Sequence, residues 1–360
     1  MNALTRDQKK FILESAILAP SADNQHRIRF EWRDGVLNIR HVLAPLHYVE
    51  DYKRILSLLS LGALSENLTL AAGRFGINAK PELARDSNDP GLAVRVRWST
   101  CEISSDSLWN AIPNRHTNRR LIFHGPKLSA DEKASLNQVA ANPADCQFIW
   151  LDDEPLKGQA LRLMRRAEGE RFRNRLLHQE LFSAIRFDVD WHTTCDEGLP
   201  PGALEIEPPL RKAFSLLRHW SVMRVVNLIG GHSVLGWRAA DLPCRLSPHL
   251  GVIAVDRTDD ESIFAAGRAF QRIWLAITQL GFALQPMPAA ALYALEEARL
   301  GWTSASFQSN LRDGWQTILP GRRPLMLFRV GRAIPAAVIS SRKPLEHYLD
   351  IDTLVNTTKF

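Results

Sequence analysis

Leu61-Gly62-Ala63, running through Leu70-Ala71-Ala72 to Phe75-Gly76-Ile77, aligns without a gap against Ala266-Gly267-Arg268, running through Leu275-Ala276-Ile277 to Leu280-Gly281-Phe282. Both stretches are glycine-led, alanine-rich and glycine-ended. Their small residues permit close helix packing while apolar residues fill one face. Many buried helices share this pattern; the alternative is an internal duplication of a unit built from helix, hairpin, helix and strand. In a duplicated α+β chain the halves would pack as a homodimer does, about a pseudo-twofold axis.

The flanking pattern suits such a unit. Thr5 and Gln8 form a capping box for a helix that runs to about Ala19 and stops at Pro20. Segments 27–32 and 36–41 are separated by Asp34-Gly35, a hairpin signal. The first core helix is expected over 52–75 and a strand over 92–98, with 111–126 extended or looped around Pro113 and Gly125-Pro126. Further on come a helix capped by Ser129 over 128–139, a strand over 147–151, and a mostly helical stretch over 155–240 broken at 198–202. A strand at 252–255, the second core helix at 262–280 and a strand at 325–330 complete the reading.

With 360 residues and 45% hydrophobic content, the chain can bury a full core. Its 45 Lys+Arg against 39 Asp+Glu give a net charge of +6, which favours anionic ligands in general. The arginines are scattered, without a basic run or a basic and aromatic stripe, so nucleic acid is set aside as a partner. Cys101, Cys146, Cys195 and Cys244 form no Cys-x-x-Cys unit and read as buried thiols in a reducing compartment. His178, His232 and His249 lack metal-ligand spacing, so no metal site is expected. The N-terminal residues lack the apolar core of a signal peptide, and Arg268, Arg272 and Gln279 interrupt the apolar stretch 263–287, so the expectation is a cytoplasmic protein without a membrane span. His192 and Cys195 were weighed as an acid or a nucleophile against simple packing, and no partner for either is recognisable.

Two short motifs carry the chemistry. The turn Pro20-Ser21-Ala22-Asp23-Asn24 offers hydroxyl and amide groups, and Arg115, His116, Thr117 and Arg119 offer cations and a hydroxyl, with Arg115, Thr117 and Arg119 at alternating positions. On an extended segment such positions face one side, which suits a phosphate and the polar edge of a ring. Taken singly, each has a bland reading: a helix stop with Asx-turn bonding, and a solvated basic loop.

Together the motifs resemble those of the nitroreductase family of FMN flavoproteins, in which an Arg-x-Ser-x-Arg/Lys segment of one subunit and a Pro-Ser-x-x-Asn turn of its partner hold the cofactor. Arg115, Thr117 and Arg119 match the first, Pro20, Ser21 and Asn24 the second, and Arg342 in Ser341-Arg342-Lys343-Pro344 is similar to the basic segment that returns to the phosphate. The resemblance implies a tandem nitroreductase-like fold with a first repeat over 1–110, a second over 111–345 carrying a lid-like helical insertion around 165–240, and a C-terminal tail over 346–360. The serine turn precedes the arginine motif here, and 139–143 lacks a second Ser-x-x-Asn turn, so one composite site would remain per chain. That order is similar to the single-chain, Acg-like branch, with 196–202 where a lid is expected.

The family's Pro-x-Glu-Gly segment, whose amide donates to flavin N5, corresponds to Pro286-Met287-Pro288-Ala289; Pro288 has no N–H, so Ala289 would serve. After Asn24 the family's x-Gln-Pro-Trp is replaced by Gln25-His26-Arg27-Ile28. The resemblance implies bound FMN, NAD(P)H or the substrate itself as electron donor, a small organic substrate, Arg119 stabilising the reduced flavin, and a monomer made possible by the internal pseudo-dimer. Its alternative is a flavin-holding protein whose lid blocks substrate.

Overall fold

A computed structural model describes residues 4–42, 52–84, 88–103, 106–140, 146–295 and 303–350. The chain is α+β, with two four-stranded antiparallel sheets. The first comprises β1 (Ile28–Arg33), β2 (Val36–His41), β3 (Ile77–Leu83) and β4 (Leu92–Thr100), in the order β1-β2-β4-β3. The second comprises β5 (Cys146–Trp150), β6 (His249–Val255), β7 (Ala283–Pro286) and β8 (Arg323–Gly331), in the order β5-β6-β8-β7. The two orders are the same. Each sheet also shifts register within the corresponding strand pair, at Ile39/Arg40 and at Ile253/Ala254.

The helices repeat as well. α1 (Arg6–Ile17) packs on α2 (Tyr52–Gly73), and α3 (Ala130–Ala140) packs on α10 (Asp260–Gln279), the two long helices flanked by their sheets. Thr5 and Gln8 close the capping box of α1, and Ser129 and Glu132 exchange the same two bonds at α3. Gly76 and Gly281 follow the core helices with φ of +67° and +73°, a conformation that costs other residues a Cβ clash.

α2 and α10 cross at Gly62 and Gly267. A Cβ at Gly62 would lie 2.1 Å from the Phe264 carbonyl oxygen, and one at Gly267 would lie 2.3 Å from that of Leu59. Under the ungapped alignment Leu59 and Phe264 are equivalent residues, so the contact is reciprocal, as in an isologous dimer interface. The polar contacts repeat too: Glu66 accepts from Arg272 at 2.8 Å, and the equivalent residues Gln271 and Asn67 bond at 2.6 Å.

Sequence reading missed β3, β7 and α12 (Ala305–Ile318). Both strands lie at sheet edges and carry the equivalent prolines Pro81 and Pro286, tolerated there because one side of an edge strand needs no ladder bond. Pro113, expected in an extended or looped stretch, lies inside a 3-10 turn, Ser107–Asn114, capped by Asp106. Of the stretch 139–143, where a second serine turn would fall, 141–143 lie outside the described residues.

Symmetry fails where β5 and β6 join. A tight Asp34-Gly35 turn links β1 to β2, whereas residues 151–248 link β5 to β6. They form α4 (Glu154–Arg173), α5 (Arg175–Ser183), two 3-10 turns, α6 (Arg211–Leu217), α7 (Trp220–Leu228), α8 (Gly231–Gly236), a π turn (Trp237–Asp241) and α9 (Leu242–Arg245). α4 joins the main core through Leu161 and Met164, while Phe172, Phe182, Ile185 and Met223 build a small core of their own. Residues expected as a tail also pack: Tyr348 is buried in a 3-10 turn beside α1 and β1, and the Asp350 N–H donates to Phe30 O at 3.0 Å. Residues 351–360 lie outside the described residues.

Among the described residues one helix, Lys53–Gly73, is long and apolar enough to cross a membrane, and 78% of its apolar window is buried inside the molecule. Gly62→Ala and Gly267→Ala should each lower the free energy of urea unfolding by about 1–3 kcal/mol, although alanine favours an isolated helix by about 1 kcal/mol. Unchanged stability in both variants would show that the crossing has slack.

Candidate functional site

The C-terminal end of α1 draws the expected residues together. Its last carbonyl groups point away from the helix without intrahelical partners, and two arginines far along the chain satisfy them. Arg115 Nη2 donates to Leu18 O at 3.0 Å. Arg342 donates through Nε to Ile17 O at 2.9 Å and through Nη2 to Ala19 O at 2.8 Å, and its Nη1 donates to Asn24 Oδ1. Asn24 Nδ2 in turn donates to Ser341 O at 3.3 Å. The turn after α1, the arginine motif and the C-terminal basic segment thus meet.

Burial, reinforced by neighbouring Arg342, pushes the Arg115 pKa down to about 9. Burial also lowers the Arg342 pKa, and among the described residues no carboxylate is among the groups acting on either guanidinium. The Arg115 guanidinium stacks 4.4 Å from the Trp274 ring centre, and its Nε is buried without a hydrogen-bond partner. Ser21 Oγ is likewise buried and unpartnered. A buried and a half-buried cation beside the unpartnered Arg115 Nε and Ser21 Oγ are chemically suited to an anion. The donor set therefore fits a phosphate group.

Arg119 faces the other side of the turn. It donates to Ala203 O at 3.3 Å, and burial lowers its pKa to about 10 while Asp23 and Glu205 act to raise it. Burial also opposes the Arg171 charge, but Glu168, the Tyr293 oxygen and Asp23 outweigh it and raise the Arg171 pKa. Asp23, Asn24 and Glu205 all have left-handed φ, between 51° and 58°, a conformation uncommon outside glycine. Thr117 bridges to Leu284, which places the arginine motif beside β7. His116 Nδ1 bonds Asn114 O at 2.9 Å, and burial lowers its pKa.

Beyond β7, the Met287 N–H donates to Leu327 O at 2.7 Å and is used by the sheet. Pro288 caps α11 (Ala289–Leu292), so Ala289 supplies a first-turn amide with no acceptor within its helix. Pro20, Ser21, Asn24, Arg115 and Arg342 converge directly. Arg119 joins them through Asp23, and Pro286, Met287 and Ala289 through the Thr117–Leu284 bridge.

The insertion is fastened across this region. Besides the Arg119 bond to Ala203, Glu205 pairs with Arg120 at 2.8 Å and accepts from the Ala337 N–H at 2.7 Å. The Ser341 N–H donates to Cys195 O at 3.0 Å, and Lys343 pairs with Glu197. A cavity of about 180 Å³ lies beside the turn rather than at the arginine pair, lined by Asp23, His26, Lys53, Ser57, Ser60 and Glu180. That space is below the roughly 300–1,000 Å³ of pockets for drug-sized ligands.

Other candidates resolve into structural roles. Cys195 Sγ contacts Gly198 O at 3.4 Å and burial raises its pKa, away from the thiolate a nucleophile needs. His192 shows only its backbone N–H bonded to Asp190, at 2.9 Å. His178 bonds Leu217 O at 2.8 Å among Phe182 and Trp220, and His249 bonds Asp152 at 2.7 Å while accepting from the Leu128 N–H. Cys101 is exposed, contrary to its expected burial, and the other three cysteines are buried. No cluster of three metal-ligating side chains occurs among the described residues.

No family model matches the chain. An uncharacterized protein, MT1398 of Mycobacterium tuberculosis (strain CDC 1551 / Oshkosh), is 25% identical over 342 residues, covering 93% of this chain and 47% of that protein. The chain thus spans about half the length of the curated relative it matches. Similar solved structures include a nitroreductase with bound FMN from Bacteroides fragilis, with a TM-score of 0.37, 11% identity, and coverage of 67% of this chain and 95% of that one. The FMN-dependent nitroreductase NfnB from Mycobacterium smegmatis, in complex with NADPH, has a TM-score of 0.38, 16% identity, and coverage of 66% and 94%. A BluB-like flavoprotein from Clostridium difficile has a TM-score of 0.38, 10% identity, and coverage of 68% and 97%.

One neighbour of the cluster escaped sequence reading. His26 Nε2 donates to Ala19 O at 3.0 Å, and burial, Arg342 and Arg115 together push its pKa from the ordinary 6.5 down to about 3. The folded state therefore binds fewer protons than the unfolded chain between those values. Its contribution to stability is complete above pH 6.5 and is lost as pH falls toward 3. Urea midpoints measured across that window should fall with pH, and His26→Gln, which keeps a donor without titrating, should flatten the slope.

Proposed function

We propose that this chain holds one FMN per molecule at the α1 end and acts as an FMN-dependent oxidoreductase of the single-chain, Acg-like kind. The observation that carries the reading is the pair of buried Arg115 and half-buried Arg342, with no carboxylate among the described residues to balance it and an unpartnered Ser21 hydroxyl nearby. Arg115, Arg342, Ser21 and Asn24 would hold the phosphate end, with Pro20 and His116 shaping the walls. Thr117, Arg119, Pro286, Met287 and Ala289 would border the ring. Bound FMN would supply hydride acceptance and donation at its N5. Arg119 would provide the positive charge that favours the reduced, anionic form. The substrate is a small organic molecule, and NAD(P)H or that substrate donates the electrons.

A second reading draws on the fastened insertion. Ala203, Glu205, Cys195 and Glu197 tie it to Arg119, Arg120 and the segment 337–343, so access to the site requires those bonds to open. A protein that keeps them closed would hold flavin with little turnover.

Arg115→Ala and Arg342→Ala should each weaken FMN binding by about 1.5–3 kcal/mol, read by quenching of flavin fluorescence on titration into the apoprotein. Thermal melts of the apoproteins separate that loss from misfolding, and unchanged affinity in both variants would end the cofactor assignment. The visible spectrum of the purified protein decides between the two readings: a bound-flavin band that NADPH bleaches at a useful rate supports the oxidoreductase, and one that persists supports the closed holder. A colourless protein that takes up no FMN would remove both.

A further inference from the structure

The insertion carries a surface that the site does not use. Residues 208–240 contain Arg211, Lys212, Arg218, Arg224 and Arg238 and no Asp or Glu. Within this acid-free stretch, α7 buries Met223 against the small core of Phe172, Phe182 and Ile185 and exposes Ser221, Arg224, Val225 and Leu228 on its opposite face. The chain then turns through Ile229 and Gly230 into α8, where Val234 is exposed. Leu228 and Ile229, 82% and 87% exposed, are the most exposed large apolar side chains among the described residues. They form a protruding tip rather than a groove.

The charges around the tip identify what it meets. Arg238 is engaged by Glu207 at 2.5 Å, and Arg211 by Ile206 O and the Trp191 ring. Lys212, Arg218 and Arg224 are exposed, Arg218 with its Nε on His219 Nε2 at 3.3 Å and its guanidinium 5.2 Å from the Phe187 ring centre, and Trp237 is partly exposed near the base of α8. A second copy docked on this face about a twofold axis would bring the same cations together, with no carboxylate from 208–240 between them. An anionic lipid surface satisfies both parts at once, because acyl chains accept the apolar tip while phosphate headgroups attract the flanking cations. We propose that the α7–α8 tip docks shallowly into an anionic membrane surface, a peripheral contact that no membrane-spanning helix is needed to make. The proposal is independent of the flavin reading.

Co-sedimentation of the full chain with vesicles tests it. Binding to phosphatidylcholine vesicles containing phosphatidylglycerol is expected, with little binding to phosphatidylcholine alone and release by added salt. A variant carrying both Leu228→Asp and Ile229→Asp should bind about tenfold less or worse, as should one carrying both Arg218→Gln and Arg224→Gln. All four positions are exposed, and unchanged melting temperatures would confirm that the variants fold. Failure of the natural chain to bind, or equal binding by the aspartate variant, overturns the proposal. A natural dimer that the aspartate variant converts to monomers would overturn it too, and would assign the tip to a second copy.

Discussion

The contact on which everything else depends is the crossing of α2 and α10 at Gly62 and Gly267. Backbone meets backbone there, since any Cβ would fall within 2.3 Å of the facing carbonyl oxygen. Such closeness sets the spacing of the two helices and so of the two sheets they carry. Because each glycine meets the equivalent of the residue its counterpart meets, Phe264 or Leu59, one local rule holds both halves. Gly73 and Gln279, at the two helix ends, then deliver their chains through positive-φ glycines into β3 and β7.

Around that axis the halves have diverged as fused copies can. On one side Glu66 bonds charged Arg268 and Arg272, and on the other the equivalents Gln271 and Asn67 form a neutral amide bond. The buried Glu66 carboxylate is met by two cations, whereas the Gln271 amide donates to Asn67 and leaves its own oxygen buried without a partner. The larger divergence is at the β5–β6 connection. In the first half that position is a two-residue turn, and in the second it opens into 151–248, which reach over the end of α1.

The candidate site gathers from distant parts of the chain. Arg115, Arg342 and the 20–24 turn are tied by bonds that span 97 to 325 residues, three ending on carbonyl groups at the end of α1 and one on Asn24 Oδ1. Those carbonyl groups orient the arginines without neutralising them. What remains is two guanidinium groups in low dielectric, a costly arrangement that an anion would relieve. On the other side of the turn, Asp23 and Glu205 act to raise the Arg119 pKa but burial outweighs them, whereas Glu168, the Tyr293 oxygen and Asp23 outweigh burial at Arg171.

By itself the sequence determined the elements whose signals are local: the capping boxes at Thr5 and Ser129, the Asp34-Gly35 hairpin and both glycine-led core helices. Those features depend on neighbours a few residues apart, so they survive reading one residue at a time. Edge strands β3 and β7 were not legible, since proline and charge erase the alternation that a buried strand would show. His26 could not be recognised either, because its depressed pKa comes from Arg342 and Arg115 and not from its own sequence neighbours. Only the tertiary structure decided that the two core helices touch through their glycines, that Arg342 returns to α1, and that the insertion is fastened over the turn. Each of these joins residues far apart in the chain, and chain separation leaves no periodic trace for sequence reading to find.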